Sequence, residues 1–391
     1  MSGLGLYLGL TRNSSLYKYQ WTIPTTPGIV QVPTGITFIC ASTRTAQTSR
    51  STMITGIGAN QPVVCYNPIL NCYGLQHEPT STNQQWYSQS YSSWSSQNNF
   101  PIDSSNNSDP TGGTAATLIH GNGTSPFIYL SQPLGILTTV NGWNMSQWIA
   151  GYNGSPNQAD CCFGEASINQ ILSSEYITPA LTWERKTVST TSNGNITGPT
   201  LGYSGTLNTG ANGQANKAYY YGLQLEKGRI PTSYIITPSN AAVTRTTTII
   251  KAPIYNYNNF KLRFDTYVWN RTDYDINTYP STIIFQEDSN TNRILCQITI
   301  SLGSPVLQLY VNSILVYTGT NVYNFVRGDK WSWRLNFNGT TFNILVYKND
   351  VYQWTETYTG EVPTSMANVV FGSAVDGTYH FSAPCTFIGA T

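Results

Sequence analysis

From Trp331 the chain places Trp331, Trp333, Leu335 and Phe337 at alternate positions, breaks at Asn338-Gly339, and resumes with Phe342, Ile344 and Val346. A side-chain period of two belongs to an extended strand with one apolar face, since a helix would scatter positions i and i+2 around its circumference. Asn-Gly between two such runs predicts a tight hairpin, because the favoured turn needs positive φ at both central residues. The pattern recurs in Phe260, Leu262 and Phe264, which alternate with Lys261, Arg263 and Asp265, and in Ile294, Cys296, Ile298 and Ile300. Several such strands in one stretch predict an antiparallel sandwich.

The rest of the chain reads as β in shorter pieces. Ile29-Val30-Gln31-Val32 stops at Pro33, and Ile36-Thr37-Phe38-Ile39 follows Gly35. Thr43 to Thr55 is Ser/Thr/Gln/Arg-rich and reads as an exposed loop or a segment ordered only against a partner. The polar tract from 80 to 115 carries Trp86, Tyr87, Tyr91 and Trp94, which predicts loops and short strands hung on aromatic anchors. One helix is predicted, Glu165 to Glu175, where Ile168, Ile171 and Leu172 fall at i, i+3 and i+4. Tyr219, Tyr221, Leu223 and Leu225 predict one face of a strand. Glu226-Lys227-Gly228 then forms a turn, and Pro231 and Pro238 bracket an extended piece, so 219–245 reads as the end of one domain and the start of another.

These residues also carry a resemblance. Ile36-Thr-Phe, Ala41-Ser-Thr, Ala59-Asn-Gln-Pro, Tyr66-Asn-Pro, Gly74-Leu, Glu78-Pro, Thr82-Asn, Tyr87-Ser and Trp94 run in an order that resembles the opening of a module common in tailed-bacteriophage virion proteins, especially tail fibres. Gln224-Leu-Glu-Lys-Gly, Pro231-Thr-Ser-Tyr-Ile and Val243-Thr-Arg resemble its close. Asp109-Pro-Thr-Gly-Gly-Thr-Ala-Ala and Trp183-Glu-Arg-Lys fit its middle. Two positions depart from it: Cys40 stands where the module has arginine, and Ser81 where it has a base.

The resemblance implies an all-β chain of two antiparallel jelly-roll or sandwich domains after a smaller N-terminal segment. Residues 1–35 would attach to the virion, 36–245 would form a carbohydrate-binding-module-like jelly roll, and 246–391 would form a concanavalin- or laminin-G-like sandwich. It further implies a virion location, other virion proteins as partners, a homotrimer, and a tail fibre or appendage that contacts host surface glycan without catalysis. A capsid or neck decoration protein is the alternative from another class, and a glycan depolymerase the third.

Composition narrows the chemistry. Charged residues make up 9% of the 391, with net charge +1, whereas tyrosines number 27. A chain so poor in clustered cations is not expected to bind nucleic acid, and no stretch reaches the length of a membrane span. The N-terminus lacks a basic leader, so no signal peptide is expected. The seven cysteines contain no Cys-x-x-Cys pair and read as mostly free, buried thiols.

The three histidines, His77, His120 and His380, stand at no nucleophile elbow, and Gly202-Tyr-Ser-Gly lacks the second glycine at its place. Asp273 and Asp275, and likewise Glu287-Asp288, read as solvated turns. A structural calcium ion is the second reading there, because loop carboxylates are what that ion uses. The glycine-rich pieces lack dinucleotide spacing, and no cofactor is expected. Binding remains. Trp143 and Trp148, set among small and amide side chains, are candidates for glycan or partner contact, with core packing as the competing reading. Trp269, on the face opposite Phe264, is the third candidate.

Overall fold

A computed structural model describes residues 17–391 except 86, 90, 92–94, 97–101, 121–126, 137–142, 153–158, 166–169, 178–181, 190–198, 208–216, 228–229, 257, 270–280, 288–293, 302–303, 361, 363–365 and 374–382. The chain is all-β, its strands paired antiparallel in several sheets.

Two large sheets form a sandwich. One runs, in order, Gly28–Ile29, Val63–Asn67, Cys72–Leu75, Cys385–Ala390, Asn259–Tyr267, Lys330–Asn338, Thr341–Lys348 and Val351–Thr359, with Tyr19–Thr22 also paired to Cys385–Ala390. The other runs Ile314–Thr318, Ser304–Val311, Ile294–Ser301, Ser281–Glu287, Asn368–Phe371, Ile249–Pro253 and Thr37–Ile39. Their alternate apolar residues meet between them. Phe264, Trp333, Leu335 and Val346 of the first sheet share one buried cluster with Phe285, Cys296, Leu309 and Phe371 of the second. The predicted hairpin forms, with Leu335 opposite Ile344 and Phe337 opposite Phe342, but its centre is Gly339-Thr340 rather than Asn338-Gly339: Asn338 ends the strand, and of the three only Gly339 takes a positive φ, +72°.

The sandwich does not begin near residue 246. Trp21, Ile23, Ile36 and Phe38 are buried in that same cluster, and Tyr19 pairs with Ala390. The boundary expected at residue 35 is therefore corrected: residues 19–75 supply strands and core to the C-terminal sandwich. The expected attachment role of residues 1–16 lies outside the described residues.

The jelly roll is inserted into this sandwich. The chain leaves it along Ser81–Asn83 and returns along Val243–Arg245, and the two segments pair with each other, Asn83 opposite Val243 and Ser81 opposite Arg245. Among the described residues ten strands lie between them, and eight of these make up the roll: Ala116–His120, Phe127–Ile136, Trp143–Gly151, Ala159–Glu165, Gln170–Ile177, Glu184–Ser189, Pro199–Leu207 and Lys217–Lys227. In one sheet the first lies beside the eighth, the eighth beside the third and the third beside the sixth. In the other the order is fifth, fourth, seventh, second. That interleaving is the jelly-roll order. Ile102–Asn107 and Ser95–Ser96 add an edge strand to each sheet.

Two local expectations are corrected. The helix predicted over 165–175 is absent: Gln170–Ile177 is a strand paired to Ala159–Glu165. Three apolar positions in less than three turns are too few to outweigh a neighbouring strand. The stretch from 43 to 55 is no exposed loop, for Arg44–Gln47 pairs with Met53–Ile57 and its four residues are all buried. The partner that orders it is the chain's own insert. Thr45 Oγ1 donates to the Tyr234 carbonyl at 2.6 Å, and Met53 N to the Pro110 carbonyl at 2.9 Å.

Candidate functional site

The surface available for function on the jelly roll is decided by one irregularity in its last strand. Tyr221 stands opposite Trp148, yet Gln224 stands opposite Ser146, so two residues, Gly222 and Leu223, oppose the single Gln147. This is a β-bulge, and Gly222 adopts φ +68° there; a Cβ would lie 3.3 Å from both Trp148 Cδ1 and Tyr234 Cζ. The extra residue reverses the alternation. Leu223 and Leu225 therefore do not share a face with Tyr219 and Tyr221 as the period predicted. Gln224 and Glu226 take that face instead.

This arrangement turns two polar side chains into the neck between insert and sandwich. Glu226, buried, accepts hydrogen bonds from Ser81 Oγ, Thr232 Oγ1, Gln224 Nε2 and, at 3.1 Å, Thr232 N. Ser81 is thus a neutral donor to a buried carboxylate at the position where the resembling module carries a base. Asn83, fully buried, donates to the Leu223 and Ile235 carbonyls at 3.2 and 2.9 Å and accepts from Leu225 N and Gln85 N, both at 3.0 Å.

Beside them Arg245 Nη1 meets Glu78 Oε2 at 2.9 Å, their side chains 3% and 14% exposed. Glu78 also accepts from Ser233 N, Ser233 Oγ and Gln76 Nε2 at 2.6, 2.8 and 2.6 Å. Arg185 completes the group, donating to Ser146 Oγ at 2.8 Å. Its pKa is lowered by burial, against which the charges of Glu226 and Glu78 act. Residues some 150 positions apart in sequence are closed into one network.

Burial alone would raise the Glu78 pKa, but the Arg245 guanidinium and the hydrogen bonds from Ser233 and Gln76 outweigh it and hold the carboxyl below its ordinary range. A depressed carboxylate contributes stability that is present above the unfolded pKa, about 4.3, and is lost as pH falls through the folded value. Stability measured by urea unfolding is accordingly expected to decline below about pH 4. Glu78→Gln should reduce that slope relative to the parent, whatever its stability at neutral pH. An unchanged slope would remove Glu78 from the titrating groups.

The three tryptophans expected at a contact surface are all interior, which corrects that expectation. Trp143 is 5%, Trp148 1% and Trp269 2% exposed. Trp143–Gly151 is buried along its whole length, because one face lines the insert and Met53, Tyr221 and Tyr234 pack around Trp148 on the other. Trp269 follows the end of its strand at Tyr267, where the alternation no longer applies, and packs with Leu70, Cys72 and Ala383.

The outer aromatic row nonetheless reaches the surface beyond the neck. Tyr219 lies half-buried on the face of Tyr221, its ring centroid 5.7 Å from Tyr152 and 6.4 Å from Trp183, both also half-buried. Tyr219 stands between Leu118 and Ala150, and Leu118 stands opposite the exposed Asp103. Small Ala150 leaves room for the rings to converge. Burial raises the Tyr219 pKa, with the neighbouring Tyr152 and Asp103 adding to it. Three ring surfaces beside a carboxylate can stack on an apolar sugar face and accept from hydroxyls. The sequence signal for them was weak: Tyr219 was visible, but nothing tied it to Tyr152 and Trp183.

A cleft at the neck, lined among others by Trp148, Arg185, Glu78 and Tyr234, encloses about 40 Å³. It has room for a few waters and not for a hexose. Gly202 to Gly205 lies inside the strand Pro199–Leu207, not at a strand-to-helix turn. His77 is buried against Phe264, Glu287 ends a strand, and His380, Asp273, Asp275 and Asp288 lie outside the described residues. Cys40, Cys65, Cys72, Cys296 and Cys385 are free and buried, and burial pushes the Cys72 thiol up to about 12. Among the described residues no helix is long and apolar enough to cross a membrane.

No family profile and no curated protein matches this sequence. Among solved structures the chain is similar to a native heptameric SAP-like pentraxin from Limulus polyphemus, with 13% identity over 35% of this chain and 64% of that one, at a TM-score of 0.24. It is similar to domain 4 of an extracellular arabinanase from Geobacillus stearothermophilus, in complex with arabinotriose, with 14% identity over 37% and 65% at a TM-score of 0.25. It is also similar to the tripod from the baseplate of bacteriophage Tuc2009, with 10% identity over 73% and 98% at a TM-score of 0.24. The chain spans slightly under two thirds of the first two. Scores this low carry no argument, and the strand order defines the fold without them.

Proposed function

We propose that this chain is a structural appendage of a tailed-phage virion, of tail-fibre type, that contacts host surface glycan through its jelly roll without catalysis. The observation that carries the glycan reading is the half-buried cluster Tyr152, Trp183 and Tyr219 beside Asp103. It is an aromatic surface on a neutral, hydroxyl-rich chain. The virion placement rests on the sequence resemblance. Support for that resemblance comes from the neck, where its opening motifs, Glu78-Pro and Thr82-Asn, bond to its closing ones, Gln224-Leu-Glu, Pro231-Thr-Ser-Tyr-Ile and Val243-Thr-Arg.

Purified protein is expected to bind host cells and a subset of saccharides on a glycan array. Tyr219→Ala and Trp183→Ala should each weaken that binding about tenfold, the equivalent of roughly 1.4 kcal/mol for one stacked ring. Retention of full binding by both variants would remove the cluster as the contact. Failure of the parent to bind any saccharide or cell surface would sink the glycan reading itself.

A further inference from the structure

A hydroxyl can attack a carboxamide inside a protein where three conditions meet: a base for the hydroxyl proton, a donor for the oxygen that takes up negative charge, and no water to compete. The neck brings them together at Thr232, Gln224 and Glu226, all buried. Thr232 Oγ1 donates to Glu226 Oε1 and lies 3.5 Å from Gln224 Nε2. Glu226 Oε2 accepts from that same Nε2. On the other side of the amide, Gln224 Oε1 accepts from Ile235 N. The Ser233 carbonyl, 3.2 Å from Nε2, and the Ile235 N–H together fix which end of the amide faces which way. The bulge at Gly222 is what turns Gln224 and Glu226 to this place.

We propose that Thr232 and Gln224 join in an intramolecular ester, with Glu226 as the base and the Ile235 N–H as the oxyanion donor. Glu226 takes the hydroxyl proton as Thr232 Oγ1 bonds to Gln224 Cδ, and the charge that gathers on Gln224 Oε1 is held by Ile235 N. The carboxyl then passes the proton to Nε2, the Cδ–Nε2 bond breaks and ammonia leaves. Nothing is oxidised or reduced, and the carboxylate is regenerated. The neck cleft, which Thr232 and Ser233 line, gives the ammonia its exit. A second Gln-x-Glu pair supplies the contrast. Gln76 Nε2 and Ser233 Oγ both donate to Glu78 Oε2, yet among the described residues no donor reaches Gln76 Oε1. Amide, acid and hydroxyl are present there without the oxyanion partner. The ester locks the strand Lys217–Lys227 to the segment whose Ser233 holds Glu78, and so braces the neck covalently.

Peptide mapping of the full chain tests the link. Trypsin cuts after Lys217, Lys227, Arg229 and Arg245, which puts Gln224 and Thr232 in separate peptides. After the folded protein has stood at neutral pH, peptides 218–227 and 230–245 are expected joined, lighter by one ammonia than their sum. Hydroxylamine, which cleaves esters and spares amides, should part them. Thr232→Val and Glu226→Gln should each leave the two peptides free, Thr232→Ser should keep them joined, and no link from Gln76 to Ser233 should form. Should the first two variants misfold, the map of the parent decides. Free peptides in the parent, a joined pair that resists hydroxylamine, or a link that survives Thr232→Val or Glu226→Gln overturns the proposal.

Discussion

Replacing Arg245 by alanine is expected to destabilise the protein by about 3–5 kcal/mol, the usual cost of leaving one member of a buried ion pair without its partner. Glu78 would keep its donors, Ser233 and Gln76, but lose the Arg245 guanidinium that pairs with it. The same truncation removes the bonds from Arg245 to the Ser233 and Pro79 carbonyls, which tie the returning chain to the leaving one. Thermal unfolding should change in shape as well as midpoint, the insert and sandwich parting into two transitions. The double variant Glu78→Leu/Arg245→Met should recover much of the loss, because the charges leave together. A variant with the parent's single transition and midpoint would show that the pair does not couple the two bodies.

Deleting residues 1–35 should prevent the sandwich from folding at all. The deletion removes Trp21 and Ile23 from the core and the strand Tyr19–Thr22 from the sheet. Truncating one buried tryptophan costs about 3–5 kcal/mol and one buried isoleucine about 2–5. Together these approach the whole reserve of a typical domain, about 5–15 kcal/mol. The expected readout is loss of soluble protein, or of the near-ultraviolet signal from Trp331 and Trp333. A truncated chain that melts at the parent's temperature would restore residues 1–35 to the status of a separate segment.

The sandwich strands between 260 and 346 were legible because the face each turns to the core is apolar at alternate positions, Phe260, Leu262 and Phe264 or Trp331, Trp333, Leu335 and Phe337, while the other face is polar even where it is buried, as at Ser332 and Gln297. The inserted topology was not. Its diagnostic pairings join strands of three or four residues, such as Thr37–Ile39 and Tyr19–Thr22, to partners far along the chain. Trp148 was undecidable for a related reason: its strand is covered on both sides, so periodicity says nothing about which face is wet. The closing stretch 219–245 was readable as a hand-over and as the home of Gln224 and Glu226. The bulge at Gly222 that aims those two at the neck follows from packing against Trp148 and Tyr234, and a glycine in a strand only hints at it.

The insertion also sets an order of assembly. The jelly roll is complete once residue 227 exists, whereas the sandwich waits for Ala390 to pair with Tyr19. A chain emerging from its N-terminus can finish the insert first, while Tyr19–Thr22 and Thr37–Ile39 still lack their partners. Folding the insert clasps residues 83 and 243 together and shortens the loop the sandwich must close. The thermodynamic gain is below about 1 kcal/mol, since loop entropy grows only with the logarithm of length. Its weight is kinetic: pairing the two ends of the chain is the slow step, and the insert acts as an early clamp for it.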